Sequence, residues 1–295
     1  MSVVRLNPAC IECLLKKHMQ GYPPQTSVEQ QIEYMQRVLR TVAEAPLTDS
    51  APVLVHAFER IQKEMFGTVK DYSQVKHHFN EVMMGYEGEI RSRLQSSDDP
   101  LKSAIQYAMT GNYIDFGAMQ NVNEEKLQEL IDGSCDHQVD EDTYNSLKKD
   151  LLQASNIVYL TDNCGEIVLD RLLIEIIMKL NPQAKMTVIV RGAPVLNDAT
   201  MEDARQVGLT EVVDVVDNGS GIAGTCLEDI SAETLHRLEQ ADVILTKGQA
   251  NFETLRGCDK NIYYIFMCKC KMFAERFEVP LLHGVLVNDR NERCR

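Results

Sequence analysis

The sequence predicts an α/β protein, with an N-terminal helical region over residues 1–150 and a Rossmann-like three-layer α/β/α domain over residues 151–295. Two observations carry this prediction. Before residue 150 the apolar side chains recur at helical spacing, without a convincing strand pattern, and after it short β-branched runs alternate with helical stretches. Because alternating strands and helices pair through crossovers, we expect a mostly parallel sheet with helices on both faces.

In the first region, apolar stripes at helical spacing occur between residues 32 and 42 and between residues 53 and 61. Prolines and glycines interrupt the pattern where one helix is expected to end and the next to begin. Asp99-Pro100 suits a helix start, because Asp caps the first turn and Pro fits the first helical position. We expect this region to lie on the substrate side of the site and to supply specificity.

Six runs rich in β-branched residues predict the strands of the second region, and they span residues 156–161, 186–190, 212–216, 242–246, 262–267 and 284–287. Helical stretches lie between them at residues 166–180, 199–207, 231–240 and 270–277. The runs are almost wholly apolar, which is typical of strands that are buried on both faces of a sheet.

Composition excludes several classes of function. The chain has 44 acidic and 30 basic residues and a net charge of −14, so we expect neither nucleic acid nor a membrane as partner. No apolar run approaches the ~20 residues of a membrane span, and no secretion signal is apparent. Nine Cys without such a signal indicate the cytoplasm, with free or metal-bound thiols rather than disulfides.

Polar side chains follow four of the predicted strands, in residues 161–166, 191–200, 217–225 and 247–253. In an open α/β sheet, ligands bind outside the carboxyl ends of the strands, so we expect these loops to form one site. Mg²⁺ prefers carboxylate and amide oxygens and also takes oxygens of a substrate phosphate. We therefore expect Asp162, Asn163 and Asp198 to hold a divalent metal ion.

A phosphoryl group beside that metal needs a positive charge and hydrogen-bond donors. Lys247, the only lysine in these strand-end motifs, would hold the phosphate, and amides of the glycine-rich loop would line it. We expect Gly219, Ser220 and Asn251 to contact the substrate with it.

Each of these residues also has a plainer interpretation. Asp162 and Asp198 would serve only as helix caps, and Asn163 and Asn218 only as turn residues. Taken singly, the plainer interpretation is favoured. The four loops together favour a phosphate site, because helix caps do not require Lys247 at the same edge of the sheet.

The order of these motifs resembles the DUF89 family of metal-dependent damage-control phosphatases with an ARMT1-like fold. The motifs are Asp162-Asn163-Cys164-Gly165-Glu166 with Asp170, Asn197-Asp198-Ala199-Thr200, and the segment 247–253. The segment 111–116 looks like the family's GNxID motif. Cys10, Cys13 and Lys269-Cys270 look like its stand-alone prokaryotic subgroup.

The resemblance implies a helical region on an α/β/α core, a divalent metal ion and hydrolysis of phosphate esters. Matched position by position, the family's metal ligands fall on Asp162, Asn163 and Asp198, and its phosphate-contacting lysine falls on Lys247. We expect Mg²⁺ or Mn²⁺ as cofactor, and Co²⁺ or Ni²⁺ would also bind in vitro. The expected substrate is a small phosphorylated metabolite, including damaged or side-product metabolites.

Catalytic roles are expected at three positions of these motifs, Asp162, Glu166 and Lys247. Glu166 and Asp170 lie four apart on one helix face, so one of them would orient a water molecule or act as a base. The alternative is a helix-start Glu and a packing Asp. Asp162 would act as a metal ligand or as the nucleophile of an aspartyl-phosphate, and the sequence does not separate these routes.

Asn112 and Asp115 lie in the segment 111–116, at a predicted helix break. They would close over the substrate, with Asn112 ahead of Asp115 as a contact, or would only shape the turn between helices. We weigh these two interpretations equally.

Two other functions stay open at this point. One is methyl transfer in the same α/β pocket, which needs no metal cluster of Asp and Asn. The other is a non-enzymatic metal or redox protein centred on the thiols of Cys10, Cys13 and Cys270. Such thiols would ligate zinc, form a redox pair or pack as small core residues, and we weigh slightly against a structural metal there.

Overall fold

The computed structural model describes residues 5–67, 70–115 and 123–292. In that part of the chain, seven helices precede the first strand. They are α1 (Pro8–His18), α2 (Val28–Glu44), α3 (Ala51–Phe66), α4 (Ser73–Gln95), α5 (Pro100–Gly111), α6 (Glu124–Asp132) and α7 (Glu141–Gln153). Local sequence sets their starts: Ser27 and Gln30 form a capping box before α2, and Asp99 caps α5 through Lys102 N, as predicted.

Six strands form one sheet in the second region: β1 (Asn156–Leu160), β2 (Lys185–Val190), β3 (Asp214–Asp217), β4 (Val243–Lys247), β5 (Ile262–Met267) and β6 (Gly284–Asn288). The order across the sheet is β3-β2-β1-β4-β5-β6. All neighbours are parallel except β5 and β6, so the predicted mostly parallel sheet is confirmed.

Helices alternate with the strands: α8 (Glu166–Leu180), α9 (Met201–Gln206), α10 (Ala232–Gln240), α11 (Gln249–Leu255), α12 (Lys271–Phe277) and α13 (Asp289–Glu292). Along β1, Ile157 and Tyr159 pack into one apolar cluster, and Val158 and Leu160 pack into another. The two faces of the sheet are therefore both buried, which gives the predicted three layers.

The larger apolar cluster contains side chains of α4, α5, α7 and α8 together with strand residues, so it crosses residue 150. A smaller cluster joins α1, α2 and α3 through Leu14, Tyr34, Val38 and Phe58. The division into domains at residue 150 stays a prediction. No helix among the described residues combines the length and the apolar character that a bilayer crossing requires.

Most bounds of the second region agree with the expectation to within one or two residues, and two differences have a clear physical cause. The third strand begins at Asp214 rather than at residue 212, because Val212 N and Val213 N both donate to Leu209 O in a helical turn. The segment 247–253 was expected as a loop, but only Gly248 separates β4 from α11. The left-handed backbone of Gly248, with φ of 80°, turns the chain within that single residue.

Candidate metal centre and active site

The loops after β1 and β2 meet beside the point where the strand order reverses, between β1 and β4. Ala199 N donates to Asp162 O at 2.7 Å, which joins the two loops. Asn163 and Asp198 face each other in an antiparallel bridge. The structure thus brings together Asp162, Asn163 and Asp198, the three residues expected to bind the metal.

Each of these three side chains has one oxygen without a protein hydrogen bond. Asp162 Oδ2 accepts from Asn163 Nδ2 at 2.6 Å, and Asp198 Oδ2 accepts from Arg191 Nε at 2.7 Å. Within the described part of the chain, no hydrogen bond reaches Oδ1 of Asp162, Asn163 or Asp198. Two carboxylate oxygens and one amide oxygen fit a hard divalent cation such as Mg²⁺ or Mn²⁺.

Arg191 supplies positive charge beside both carboxylates. It follows β2 directly, its side chain is fully buried, and its Nη2 lies 3.7 Å from Asp162 Oδ1. Among the described residues neither Nη1 nor Nη2 has a hydrogen-bond partner. Sequence reasoning missed Arg191, although a charged residue at the end of a buried apolar strand was a usable signal.

The electrostatics of the Asp162 and Asp198 carboxylates also suit a bound cation. Burial raises the pKa of Asp162 well above its usual range, and the charges of Asp198 and Glu166 raise it further. Burial raises the pKa of Asp198 as well, against the opposing effect of Arg191. A bound divalent cation favours the ionised form of both carboxylates, because opposite charge offsets the cost of burial.

Asn112 and Glu166 hold the first loop in place. Glu166 Oε2 accepts from Asn163 N at 3.1 Å and from Asn112 Nδ2 at 3.1 Å, and Asn112 Nδ2 also donates to Asp162 Oδ2 at 3.0 Å. Asn112 Oδ1 accepts from Met267 N at the end of β5. Both side chains are fully buried, so the structure places Asn112 against Asp162, a candidate metal ligand, and away from the cavity wall.

Lys247 lies in a buried ion-pair cluster, away from the position expected for a phosphate contact. Its ammonium group donates to Glu166, to Asp170 Oδ1 at 2.9 Å and to Ala108 O at 2.8 Å. Burial opposes its charge, yet Asp170 and Glu166 hold the pKa of Lys247 above its usual value. All three N–H donors are used, so none is left for a phosphoryl oxygen.

Glu166 and Asp170 share one face of α8, as their spacing predicts, and both contact Lys247. Tyr159 also donates to Asp170 Oδ1, at 2.7 Å. Burial raises the pKa of Asp170 to about 7, although Lys247 lowers it. These contacts make Glu166 a residue that positions the first loop, rather than a base in contact with solvent.

Lys269 is a buried lysine whose ion-pair partner Asp115 lies at the site, and sequence reasoning gave it no role beyond the subgroup motif. Its side chain is fully buried and donates to Asp115 Oδ2 at 2.5 Å. The charge of Lys269 lowers the pKa of Asp162, against the larger effect of burial. Asp115 lines the cavity beside the metal centre, whereas Phe116 of the same motif lies outside the described residues.

Gly219, Ser220 and Asn251 do not line the cavity that opens beside Asp162, Asn163 and Asp198. Gly219 is exposed, and Ser220 Oγ donates to Asp229 at 2.5 Å. Asn251 Nδ2 donates to Thr161 O and Lys247 O, which ties β4 to the end of β1. The structure therefore places these predicted substrate contacts in the scaffold around the site.

Gly248 has no room for a side chain. A Cβ atom there would lie 1.9 Å from Asp162 Oδ2. The chain must therefore have glycine at this position for Asp162 to keep its place, in addition to the left-handed backbone noted above.

A cavity of about 320 Å³ opens beside Asp162, Asn163 and Asp198. Its walls come from the strand-end loops and from α1, α3, α11 and α12. The candidate metal ligands thus lie in the cavity wall, and α1 and α3, which precede β1, contribute to the same wall.

Three thiols line the same cavity, those of Cys10, Cys13 and Cys270. Cys10 Sγ lies 3.8 Å from Glu253 Oε1, and burial raises the pKa of Cys10 to about 12. Among the described residues, no group of three or more His, Cys, Asp or Glu side chains is placed to hold a metal ion. The three thiols are therefore part of the cavity wall that also contains Asp162, Asn163 and Asp198, although they are distant from these residues in the sequence.

Sequence comparison gives a consistent result over most of the chain. The family model of the damage-control phosphatase ARMT1-like domain matches residues 6–283. A damage-control phosphatase of Archaeoglobus fulgidus is 32% identical over 278 residues, which are 92% of this chain and 94% of that protein. A damage-control phosphatase of Pyrococcus horikoshii is 35% identical over 190 residues, 64% of each chain.

Comparison of folds agrees with this result. The crystal structure of a DUF89 family protein from Pyrococcus horikoshii superimposes with a TM-score of 0.79 at 24% sequence identity. The match covers 96% of this chain and 99% of that chain. The helices before β1 and the sheet after them are therefore both shared with that protein.

Proposed function

Because the chain belongs to the damage-control phosphatase ARMT1-like family and is a phosphatase, we propose that it hydrolyses phosphate monoesters of small metabolites with a divalent metal ion at Asp162, Asn163 and Asp198. The observation that carries this proposal is the set of three Oδ1 atoms at one edge of the sheet, which accept no hydrogen bond from the described part of the chain. They lie beside a cavity large enough for a small ester.

When bound, the metal ion supplies positive charge for the phosphoryl oxygens and lowers the pKa of a coordinated water. The side chains around it fix where that charge lies. Arg191 holds Asp198 through Oδ2, so that Oδ1 keeps one orientation. Asn112 and Glu166 do the same for Asp162 and Asn163.

Lys269 replaces Lys247 as the proposed cation for the phosphoryl group. Its ammonium group pairs with Asp115, which lines the cavity together with Asp162. A buried ammonium beside a developing negative charge stabilises the transition state more than the same charge does in water. Release of Lys269 from Asp115 toward the substrate would provide that contact.

The chain carries a net charge of −14, so a phosphate dianion approaches against the overall field. A divalent cation would offset the charges of Asp162 and Asp198, and Asp115 offsets that of Lys269, so the charge of Arg191 remains beside the ligands. This positive charge supports a site for an anionic substrate rather than for a neutral one.

Hydrolysis of p-nitrophenyl phosphate, with and without Mg²⁺ or Mn²⁺ and after treatment with EDTA, tests the proposal. We expect turnover that is lost with EDTA and restored by the added metal. Turnover that is unchanged by EDTA and by Asp198→Asn would contradict it. Metal-independent binding of a methyl-donor nucleoside cofactor, without ester hydrolysis, would favour the methyl-transfer alternative.

A further inference from the structure

A buried amide of α4 holds the first of the two loops that carry the candidate metal ligands. The loop after β1 (residues 161–165) and the loop after β2 (residues 191–200) are here called the two metal loops. Asn80 is fully buried, and its Oδ1 accepts a hydrogen bond from Gly165 N at 2.6 Å. Because Gly165 lies two positions after Asn163, this bond fixes the end of the loop that supplies two of the three ligands.

The nitrogen of the same amide reaches the second metal loop through one further side chain. Asn80 Nδ2 donates to Asp203 Oδ1 at 3.0 Å and to Gln206 Oε1 at 2.7 Å. Asp203 Oδ2 accepts from both N and Oγ1 of Thr200, each at 2.8 Å. Thr200 lies two positions after Asp198. A chain of side-chain contacts therefore runs from one metal loop to the other through α4.

Lys76 completes this network from the same face of α4, one turn before Asn80. Its Nζ lies 2.7 Å from Asp203 Oδ2 and donates to Thr200 Oγ1 at 3.4 Å. The side chains of Lys76 and Asp203 are 11% and 4% exposed. The ammonium group supplies the positive charge that a buried carboxylate needs, so Asp203 can accept from Asn80 and Thr200 at the same time.

The three hydrogen bonds of Asn80 require an amide. Gly165 N is a donor, whereas the facing atoms of Asp203 and Gln206 are acceptors. A carboxamide offers an acceptor oxygen and two N–H groups, but an ionised carboxylate of the same shape has no donor. An aliphatic side chain of similar size would fill the space without making any of these bonds. The chemistry at this position is therefore more specific than the packing of α4 demands.

The network acts at a different place from the main-chain bonds between the metal loops. Those bonds lie beside the ligands, as between Cys164 N and Asn197 O at 2.8 Å. The Asn80 network acts where each loop passes into a helix, because Gly165 directly precedes α8 and Thr200 directly precedes α9. Each loop is thus held beside its ligands by the other loop and at its helix end by α4.

We propose that Asn80 is a positioning residue of the metal site, which keeps Asn163 and Asp198 at the separation that the metal ion requires. The inference rests on the proposed function and deepens it, since it adds a residue from outside the cavity wall. Without the amide, the helix ends of both loops lose a shared anchor, so the site is less well formed before the metal binds. Residues that support metal ligands without touching the metal typically contribute about 10–100-fold to its affinity.

Asn80→Ala is the first test, and calorimetry with Mn²⁺ on the full chain is the measurement. We expect the Kd for Mn²⁺ to rise by at least about tenfold. Asn181→Ala is the matched control, because Asn181 Nδ2 also donates twice, to Leu151 O at 2.8 Å and to Ala154 O at 2.9 Å, but at the far end of α8. Both variants should unfold at a lower urea concentration in EDTA, and only Asn80→Ala should bind Mn²⁺ more weakly. An equal Kd in the two variants would overturn the inference.

An exchange of the amide and the carboxylate keeps the test decisive if Asn80→Ala does not fold. In Asn80→Asp two carboxylates face each other, so we expect the Kd for Mn²⁺ to rise by at least about tenfold. An added negative charge would by itself lower the Kd, because it attracts the cation. The double variant Asn80→Asp/Asp203→Asn restores a donor opposite an acceptor and the wild-type charge, and its Kd should return to within about threefold of wild type. A Kd that is not restored would contradict the role of this contact.

The same titrations separate this inference from the proposed function. Binding of Mn²⁺ to the wild type without ester hydrolysis would overturn the proposed function alone, and the Kd ratios would still decide the role of Asn80. Ester hydrolysis with unchanged Kd values in the Asn80 variants would overturn the inference alone. Absence of Mn²⁺ binding to the wild type would overturn both.

Discussion

Arg191 donates from Nε to Oδ2 of Asp198 at 2.7 Å, and both side chains are buried at the end of the second strand. Within residues 5–67, 70–115 and 123–292, the other oxygen of Asp198 has no hydrogen-bond partner, and Asp198 lies next to Asn163 across the bridge between the loops. One contact therefore fixes a candidate metal ligand and offsets part of its negative charge. Arg191 and a divalent cation would together neutralise the carboxylates of Asp162 and Asp198.

Arg191→Met should lower the free energy of unfolding of the metal-free protein by about 3–5 kcal/mol, since it leaves buried carboxylates without their partner. Added Mn²⁺ should then stabilise the variant more than it stabilises the wild type, because the cation becomes the main counter-charge. Urea unfolding with EDTA and with Mn²⁺ measures both effects. Arg237→Met is the control, as Arg237 forms only partly exposed ion pairs. If Mn²⁺ stabilises the variant and the wild type equally, the charge of Arg191 and the charge of the bound metal ion are not linked.

Asp198→Asn should remove the stabilisation by Mn²⁺ and reduce kcat by at least about 10²-fold, the scale of one lost transition-state contact. The amide keeps the size of the side chain and still accepts a hydrogen bond from Arg191, so the fold should be retained. Asp214→Asn is the matched control on the exposed start of β3. Thermal unfolding in a Mn²⁺ titration measures the stabilisation by the metal, and steady-state kinetics measures kcat. If the variant is stabilised by Mn²⁺ as much as wild type, Asp198 is not a ligand.

The parts of the fold that local sequence determines were predicted well. The bounds of α8 and β5 match the observed elements, because apolar periodicity and the flanking residues act within a few positions. The start of β3 was wrong by two residues, since Val212 and Val213 have strand propensity but complete a helical turn. Here a main-chain hydrogen bond outweighs the preference of a β-branched side chain.

The sequence placed Asp162, Asn163 and Asp198 in the loops after β1 and β2, and the structure brings these three residues together. The position of Lys247 depends on Ala108 O, 139 residues away in the chain, and the Lys269–Asp115 pair joins groups 154 residues apart. Cys10 and Glu253 are separated by 243 residues. A single sequence carries no local signal for such contacts, because tertiary packing decides which of several lysines or thiols reaches the cavity.

Lys247→Met should act mainly on stability. It leaves Glu166 and Asp170 buried without a counter-charge, so we expect a loss of about 3–5 kcal/mol in the free energy of unfolding. The exposed Lys185→Met is the control and should change stability little. If Lys247→Met keeps wild-type stability and lowers kcat by about 10²–10³, the result would instead support the phosphate contact that was predicted for Lys247 from the sequence.

Lys269→Met should act mainly on catalysis. If Lys269 contacts the phosphoryl group chiefly in the transition state, kcat should fall by about 10²–10³ at saturating metal. The side chain of Asp115, which would lose its partner, is 15% exposed. The loss in the free energy of unfolding should therefore be smaller than for Lys247→Met. Lys149→Met is the control, because Lys149 is exposed and does not line the cavity. A rise in KM with unchanged kcat would show that Lys269 only captures the substrate in the ground state.

Glu253→Gln should change how stability depends on pH. Burial raises the pKa of Glu253 to about 7, whereas a carboxyl of the unfolded chain titrates near ~4.3. The folded-state pKa is the higher one, so the wild type loses stability as pH rises from the unfolded value through about 7. The variant should therefore exceed wild type by about 1–3 kcal/mol at pH 8 and match it near pH 4.5. Urea unfolding in EDTA checks this, with the exposed Glu239→Gln as control, and a pH-independent difference would contradict it.

Gly248→Ala tests whether the close approach of the β4 end to Asp162 is required for the site. The added Cβ would lie 1.9 Å from Asp162 Oδ2, so either Asp162 or the start of α11 must move. Gly67→Ala is the matched control, since Gly67 has φ of 74° and, among the described residues, nothing lies within 4 Å of its added Cβ. Gly67 has a left-handed helical backbone, which costs an L-residue about 1–2 kcal/mol. Gly248, with φ of 80° and ψ of 160°, has a backbone that is essentially restricted to glycine and costs about 1–3 kcal/mol. Only Gly248→Ala should also lose stabilisation by Mn²⁺ and ester hydrolysis. If the two variants lose the same stability and both keep Mn²⁺ binding, Asp162 does not need its observed position.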